Sequence, residues 1–192
     1  MTDPLKRRDV VTALLSKIEN ELIVCGLGSP VSDVMAVGDR PLNFYLLGAM
    51  GLATSVGLGL ALAQPDRSVI VITGDAELMM NSGALATIGV RKPRNLSIIV
   101  LDNERFGETG EQVSHTSAGV DIAGIAIASG FSETETVRDM ARIGGVREHM
   151  VAQAGPYLAV VKIKAERSPV VMPPKSGVIL KSRFRQALLG QY

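Results

Sequence analysis

The sequence predicts an α/β fold with a single doubly wound, mostly parallel sheet and helices on both of its faces. Short apolar runs alternate with helical segments along the 192 residues, which is the pattern of βαβ units. The apolar side chains are mostly Ala, Val, Ile, Leu and Met, with 4% aromatic residues and no Trp. That composition is typical of parallel strands buried on both faces. The length fits one domain, or one domain with a short tail.

Five apolar runs, bounded by glycine, proline or polar residues, predict strands of this sheet. They cover residues 21–25, 42–47, 68–73, 96–101 and 157–164. A sixth, more polar strand is predicted at residues 132–137. The third and fourth strands are joined by a helical segment, so this βαβ unit predicts that they lie side by side.

Helices are predicted between the strands from apolar periodicity and from start and stop signals. They cover residues 5–20, 29–37, 52–63, 78–90, 121–129, 138–154 and 178–189, the sixth with a Gly pair at 144–145 that could split it. The polar, glycine-containing stretch 104–119 predicts a long functional loop. Residues 1–164 are therefore predicted to form the domain, and residues 165–192 a Pro-containing linker with a C-terminal helix.

Charge and cysteine content give limited information about function and location. The net charge of +1 gives no reason to expect nucleic acid, and the basic run at residues 6–8 is short enough for a solvated helix end. Cys25 is the only cysteine, so no internal disulfide can form and a cytoplasmic location is predicted. It lies in an apolar run, which predicts a buried and inert thiol.

The uncharged segment 44–63 is about 30 Å long if helical, enough to span a bilayer. Four glycines interrupt residues 48–59, and no basic clusters flank the segment. We therefore interpret it as a strand, a glycine turn and a buried helix, and expect no membrane span.

The ends of two neighbouring strands carry a candidate site for a cation and a diphosphate. Asp75 follows Gly74 at the end of one strand, and Asn103 follows Asp102 at the end of the next. In a doubly wound sheet, ligands bind beyond these carboxyl ends. A carboxylate and an amide oxygen suit Mg²⁺, which completes its octahedron with phosphate and water. The N–H groups of a helix that begins just after Asp75 favour an anion.

Three motifs in this order resemble the thiamine diphosphate enzymes. Residues 74–76, Gly-Asp-Ala, followed by the Asp102-Asn103 pair, are similar to that family's cofactor motif. Residues 47–51 and the small-residue helix after them resemble the segment under the thiazolium, and residues 106–110 resemble the loop over the diphosphate. The resemblance covers about residues 42–164. The Asp-Asn pair is most similar to the decarboxylase group that includes the β subunit of sulfopyruvate decarboxylase and phosphonopyruvate decarboxylase.

The resemblance implies a role for each matching residue. Mg²⁺ would be bound by the Asp75 and Asn103 side chains and the Arg105 carbonyl. Met50 would be the wedge that bends the cofactor, and Gly48 would accept a hydrogen bond from its aminopyrimidine. Contacts to the cofactor would come from Gly74, Ala76, Glu77, Phe106 and Gly107, with phosphate bound by the backbone N–H groups of residues 76 and 77. Ala76 departs from the family's usual Gly. Glu108 and His115 are the candidates for contact with substrate.

The resemblance also implies a partner. The Glu that activates thiamine lies in a second domain of similar fold, and this chain has room for one such domain. We therefore expect a thiamine diphosphate-dependent decarboxylase acting on a small 2-oxo acid. A separate pyrimidine-binding subunit would supply the Glu, in a hetero-oligomer with at least two copies of each chain.

Other interpretations stay open at this point. The chain could be the β subunit of an acetolactate synthase-like enzyme or of a 2-oxo acid oxidoreductase, or a non-catalytic module that binds thiamine diphosphate. A nicotinamide-binding domain is a weaker hypothesis: Gly26 and Gly28 follow a strand, but Val31 stands where the third glycine of that fingerprint belongs.

Overall fold

In a computed structural model, which describes residues 4–190, six parallel strands form one sheet in the order β2-β1-β3-β4-β8-β7. The strands of the sheet are β1 (Leu22–Cys25), β2 (Asn43–Tyr45), β3 (Val69–Gly74), β4 (Leu96–Asp102), β7 (Glu133–Val137) and β8 (Tyr157–Lys162). Two further short strands, β5 (Arg105–Phe106) and β6 (Gln112–Val113), pair antiparallel as a separate hairpin. All six predicted strands are thus present, within a few residues of their predicted ends.

The helices cover both faces of the sheet. They are α1 (Arg7–Leu15), α2 (Ser29–Val37), α3 (Ala53–Ala63), α4 (Asp75–Met79), α5 (Gly83–Arg91), α6 (Ile122–Ala128), α7 (Ile143–Val151) and α8 (Gly177–Leu189). One apolar cluster packs α1, α2 and α7 on alternate strand residues such as Ile70 and Ile72. A second packs α3, α5 and α6 on the opposite face, against Val69 and Val71. The predicted doubly wound fold is confirmed.

Gly57 lets α3 approach the sheet closely. A side chain added at Gly57 would place its Cβ 2.3 Å from Val71 Cγ2 on β3, so only glycine fits there. The small-residue segment therefore packs on the sheet, as interpreted from the sequence. Within residues 4–190, no helix is long and apolar enough to cross a membrane.

The chain reverses its direction of winding between β1 and β3. From β1 it passes outward to the edge strand β2, and it then returns to the other side of β1 to build β3 and β4. The carboxyl ends of the strands that flank such a reversal diverge and leave a crevice. In this protein the crevice is bordered by the ends of β1 and β3, with β4 beside them.

The structure corrects three predicted elements. The helix predicted at residues 78–90 is two helices, because the chain turns between Met79 and Gly83. The helix predicted at residues 138–154 begins with a 3₁₀ turn, and α7 proper starts only at Ile143, just before the Gly pair. The predicted loop 104–119 holds the β5–β6 hairpin and two short 3₁₀ helices.

The C-terminal helix α8 covers the β2 edge of the sheet. Leu180 and Phe184 are buried there, and the Phe184 ring lies 5.4 Å from that of Phe44, centre to centre. The linker before α8 is held by Arg8 Nη2, which donates to the Pro169 carbonyl over 2.8 Å. This tail thus packs on the domain.

Candidate functional site

A pocket opens at the strand ends, beside the crevice between β1 and β3. It brings together ten of the twelve residues that the sequence singled out: Met50, Gly74, Asp75, Ala76, Glu77, Asn103, Arg105, Phe106, Gly107 and Glu108. Gly48 and His115 do not line it. His115 is exposed, with its ring edge-on to Phe106 at 6.1 Å between centres. His115 thus lies outside this pocket, and its contact with substrate stays a prediction.

Asp75 is the first residue of α4 and its carboxylate is buried. Its Oδ2 accepts a hydrogen bond from Ser114 Oγ over 2.5 Å and lies 3.2 Å from Thr116 Oγ1. Burial raises the pKa of the Asp75 carboxyl, the Ser114 hydrogen bond opposes the rise, and the nearby charge of Asp102 adds to it. A carboxylate held in this way is a preformed ligand for a cation.

Asn103 directly follows β4, and its Oδ1 accepts the backbone N–H of Arg105 over 3.1 Å. This local turn fixes the amide where the chain leaves the sheet. Glu104 between them has a left-handed φ of 61°, so the chain bends sharply there. Arg105 then opens the β5–β6 hairpin, beside Phe106 and Gly107. Asp75 and the turn at Asn103 thus approach one pocket from neighbouring strands.

Asp102 was predicted only as the first member of the Asp-Asn pair, but it is the centre of a buried network. Its Oδ1 accepts from Thr116 Oγ1 over 2.8 Å and from the Glu104 N–H over 3.0 Å. Its Oδ2 lies 2.7 Å from Lys162 Nζ. Burial alone would lower the pKa of Lys162, but its hydrogen bonds to Asp102 and Glu104 raise it. Lys162 is the parallel-strand partner of Asp102 in the register of β4 and β8, which sequence alone does not show.

Ser114 and Thr116 are functional candidates that sequence reasoning missed. Both hydroxyls are buried and lie 3.0 Å apart between the carboxylates of Asp75 and Asp102. One indication of their role was present in the sequence. Two hydroxyl residues are spaced two positions apart in a loop that was already predicted to be functional. They tie the long loop to the ends of β3 and β4.

Glu77 was predicted to bind phosphate through its backbone N–H. In the structure it lines the pocket and has a buried carboxylate whose contacts the sequence did not predict. Thr73 Oγ1 donates to Glu77 Oε2 over 2.6 Å, while Oε1 has no hydrogen-bond partner within residues 4–190. Burial raises the pKa of Glu77, and hydrogen bonds from Thr73 and from the backbone of Leu27 oppose the rise. A Cβ at Gly26 would lie 1.7 Å from Glu77 Oε2, so the glycine is required for this side chain to fit.

The backbone conformation at residue 76 is one that alanine adopts without strain. It lies inside α4, and it is not among the residues with positive φ. The usual Gly of the family is therefore not needed here for conformational reasons. Because α4 has only five residues, its dipole is smaller than that of the long helix predicted from the sequence.

Met50 is 61% exposed. Met50 is therefore not a core methionine of this chain. It lies just before α3 and lines the pocket, and Met80, which is 55% exposed, also lines the pocket. Cys25, in contrast, is fully buried, and burial raises the pKa of its thiol well above the ordinary value. The thiol is inert, as predicted.

The chemical nature of the donor atoms in the pocket indicates whether Mg²⁺ fits this site. Within the described part of the chain, no three His, Cys, Asp or Glu side chains cluster as metal ligands. The ligands assigned to the cation are one carboxylate, one amide and a backbone carbonyl, and the carboxylates of Glu77 and Glu108 also line the pocket. Such an all-oxygen set with few protein ligands suits Mg²⁺ that keeps phosphate and water ligands, and it does not suit Zn²⁺.

Comparison with known proteins agrees with this geometry. The family described as "Thiamine pyrophosphate enzyme, C-terminal TPP binding domain" matches residues 33–161. The chain belongs to the thiamine pyrophosphate enzymes. It corresponds to their C-terminal cofactor-binding domain, and thiamine pyrophosphate is another name for the diphosphate cofactor expected above.

Individual members of the family resemble this chain over different extents. Sulfopyruvate decarboxylase subunit beta of Methanocaldococcus jannaschii is 36% identical, over 95% of this chain and 97% of the relative. Phosphonopyruvate decarboxylase of Streptomyces viridochromogenes is also 36% identical, over 74% of this chain but 35% of the relative. Benzoylformate decarboxylase of Polynucleobacter necessarius has the same fold, with a TM-score of 0.68 and 19% identity, over 88% of this chain and 35% of that enzyme. The resemblance deduced from the three motifs is thus confirmed.

Proposed function

We propose that this chain is the diphosphate-binding subunit of a thiamine diphosphate- and Mg²⁺-dependent decarboxylase of 2-oxo acids. The observation that carries the proposal is the nearly end-to-end match with a separate β subunit of sulfopyruvate decarboxylase. The proposed substrate is a small 2-oxo acid with a second acidic group, similar to sulfopyruvate or phosphonopyruvate. The part of the chain that aligns with the phosphonopyruvate relative covers 35% of that relative, which favours a catalytic unit divided between chains.

In this proposal Mg²⁺ is bound by the side chains of Asp75 and Asn103 and by the backbone carbonyl of Arg105. The two hydroxyls that hold Asp75 would orient the carboxylate toward the cation, in the way that outer hydrogen bonds position metal ligands. The cation would offset the negative charges of Asp75 and Glu77 in the pocket, so that a diphosphate can enter.

The cofactor, when bound, supplies the electron sink into which a 2-oxo acid can lose carbon dioxide. The residues of this chain bind and position it. Met50 would contact the cofactor from the α3 side, and Phe106 and Gly107 from the hairpin side, so that water is excluded between them. Glu108 borders the pocket and is the candidate for contact with substrate.

The second half of the site would come from a pyrimidine-binding subunit that supplies the activating Glu. Met50, Leu52 and Met80, all near the pocket, are large apolar side chains that this chain leaves exposed. Burial of such side chains favours association with a partner. We propose a hetero-oligomer with at least two copies of each chain.

The test is reconstitution. The full chain is purified alone and together with a candidate pyrimidine-binding subunit from the same organism. Carbon dioxide release is then measured from sulfopyruvate, phosphonopyruvate and pyruvate, with Mg²⁺ and cofactor. We expect release only from the mixture, and only when both Mg²⁺ and cofactor are present. Robust decarboxylation by this chain alone would contradict the division of the site between two chains, and no decarboxylation by the mixture would contradict the proposed activity.

A further inference from the structure

The basic run at the start of α1 is not the solvated helix end that the sequence predicted. Arg7 is 4% exposed, and Arg8 lies partly buried beside it. Both guanidinium groups point at Asp33 of α2, which is fully buried. Arg7 Nε donates to Asp33 Oδ2, and Arg8 Nε donates to Oδ1 over 3.1 Å. Two positive charges share one carboxylate, so this cluster keeps a net positive charge.

The surplus charge is not balanced equally for the two arginines. Arg8 also donates to the Pro169 carbonyl over 2.8 Å, and its side chain is 26% exposed to water. Arg7 is less exposed, and within residues 4–190 the hydrogen bond to Asp33 is the only one that its guanidinium makes. Its terminal nitrogens thus have no protein acceptor in the described part of the chain. Donors without a protein acceptor, on a guanidinium that lines a pocket, are free to bind an oxyanion.

The location of Arg7 indicates where that ligand lies. Arg7 lines the strand-end pocket together with Asp75 and Asn103. It also lines an adjoining cleft, which Ser29, Ser32 and Glu108 border. Arg8 lines neither of them. Of the two arginines that bind Asp33, only Arg7 therefore reaches the space in which a ligand can bind.

We propose that Arg7 is an anion-binding residue of this pocket, whose guanidinium takes an oxyanion group of a bound ligand. The planar fork of arginine matches phosphate, sulfonate and carboxylate oxygens, and Asp33 orients the fork from behind. Two ligands could bring such a group: the diphosphate of the cofactor or the second acidic group of the substrate. The identity of these ligands rests on the proposed function, whereas binding of an oxyanion by Arg7 does not.

The chain offers a matched pair of variants. Arg7→Met removes the charge and keeps most of the packing volume, while Asp33 retains Arg8 as its partner. Arg8→Met removes the other half of the same cluster, and Asp33 retains Arg7. Both variants lose one ion pair with Asp33, but only Arg7→Met loses a group in the pocket. Thermal unfolding checks that both fold, and Arg7→Lys, which keeps a charge, should fall between wild type and Arg7→Met.

Two measurements separate the two sources of the anion. Calorimetry of the full chain with inorganic pyrophosphate and Mg²⁺ tests the diphosphate, and needs no activity. Kinetics of the assembled enzyme with sulfopyruvate and with pyruvate test the second acidic group, which pyruvate lacks. If Arg7 binds the diphosphate, Arg7→Met weakens pyrophosphate binding tenfold or more. If it binds the substrate, pyrophosphate binding is unchanged, and KM rises tenfold or more for sulfopyruvate but not for pyruvate.

The proposal is overturned if Arg7→Met leaves pyrophosphate affinity and both KM values unchanged, or if Arg8→Met causes the same losses. Equal losses would mean that the cluster only stabilises the packing of α1 on α2. An assembled enzyme that decarboxylates neither acid would contradict the proposed function instead. Calorimetry with pyrophosphate and with sulfopyruvate would then decide the role of Arg7, since unchanged binding of both anions in Arg7→Met would overturn it.

Discussion

Ser114 Oγ lies 2.5 Å from Asp75 Oδ2, although the two residues are 39 positions apart in the chain. This contact joins the long loop after β4, residues 104–119, to the end of β3. Thr116, two residues further on, makes the corresponding contact with Asp102 at the end of β4, over 2.8 Å. Two hydroxyls of one loop thus hold the two buried carboxylates of the site, so the shape of the pocket depends on residues outside the strand-end motifs.

The first prediction is that Thr116→Val destabilises the chain. The variant keeps the shape of the side chain but removes the hydroxyl that lies between Asp75 and Asp102. Asp75 keeps the hydrogen bond from Ser114 and Asp102 keeps the one from Glu104, but loss of a hydrogen bond to a charged group costs about 1.5–3 kcal/mol. We expect a loss of that size in the free energy of unfolding, measured with urea. Thr109→Val, which removes an exposed hydroxyl, is the control and should change stability little; equal effects of the two variants would contradict the buried network.

The second prediction concerns the cation. Asp75→Ala removes the only carboxylate assigned to Mg²⁺, so the assembled enzyme should lose Mg²⁺-dependent binding of thiamine diphosphate. Isothermal calorimetry with and without Mg²⁺ measures this. The control is Asp66→Ala, because Asp66 is exposed and does not line the pocket. Unchanged affinity in the Asp75 variant would eliminate the metal assignment.

The third prediction is a pH dependence away from the pocket. Glu135 accepts hydrogen bonds from Tyr157 Oη over 2.5 Å and from Arg142 Nε over 2.8 Å. Partial burial raises the pKa of Glu135, but Arg142 and Tyr157 lower it more, so the pKa is below its ordinary value of 4.5. The unfolded chain therefore binds the proton more tightly, and the stabilisation is present above pH 4.5 and is lost as pH falls below it.

Glu135→Gln tests that sign. The variant should unfold at a lower temperature than wild type at pH 7, and the difference should shrink as the pH is lowered through the ordinary range of glutamate. Glu148→Gln, on the exposed side of α7, should show no such trend. A difference between Glu135→Gln and wild type that stays constant from pH 7 to pH 3 would mean that packing, and not charge, is responsible.

Most of the fold could be predicted because its strands are continuous apolar runs. The strands around Ile70 and Ile99 are flanked by glycine, proline or polar residues, and such runs have few alternatives to burial in a parallel sheet. The turn between α4 and α5 was missed, because Leu78, Leu85 and Ile88 are all buried and maintain an apolar period across it. The β5–β6 hairpin was missed because strands of two residues are too short to show any alternation.

The site was predictable only where its residues belong to motifs. Asp75 and Asn103 follow strands and share a family pattern, so they could be assigned from the sequence. The burial of Arg7 could not, because its partner Asp33 lies 26 positions away and three consecutive basic residues are usually solvated. Likewise, the pairing of Lys162 with Asp102 depends on the register of β4 and β8. Contacts made through tertiary structure leave no local signal in a single sequence.

The last prediction distinguishes an effect of Met50 on the conformation of the cofactor from an effect on the affinity for the cofactor. A side chain that wedges the cofactor into a bent form acts on its conformation, whereas its contribution to affinity is one apolar contact among many. Met50→Ala should therefore reduce turnover by the assembled enzyme much more than it weakens cofactor binding. Met140→Ala is the matched control, since Met140 is also partly exposed, at 39%, but lies in the 3₁₀ turn before α7 and does not line the pocket. If turnover and affinity fall by the same factor in Met50→Ala, or if neither falls, Met50 acts only as part of the apolar contact surface. A selective loss of turnover, absent in Met140→Ala, is what a wedge requires, because only the bent cofactor can react.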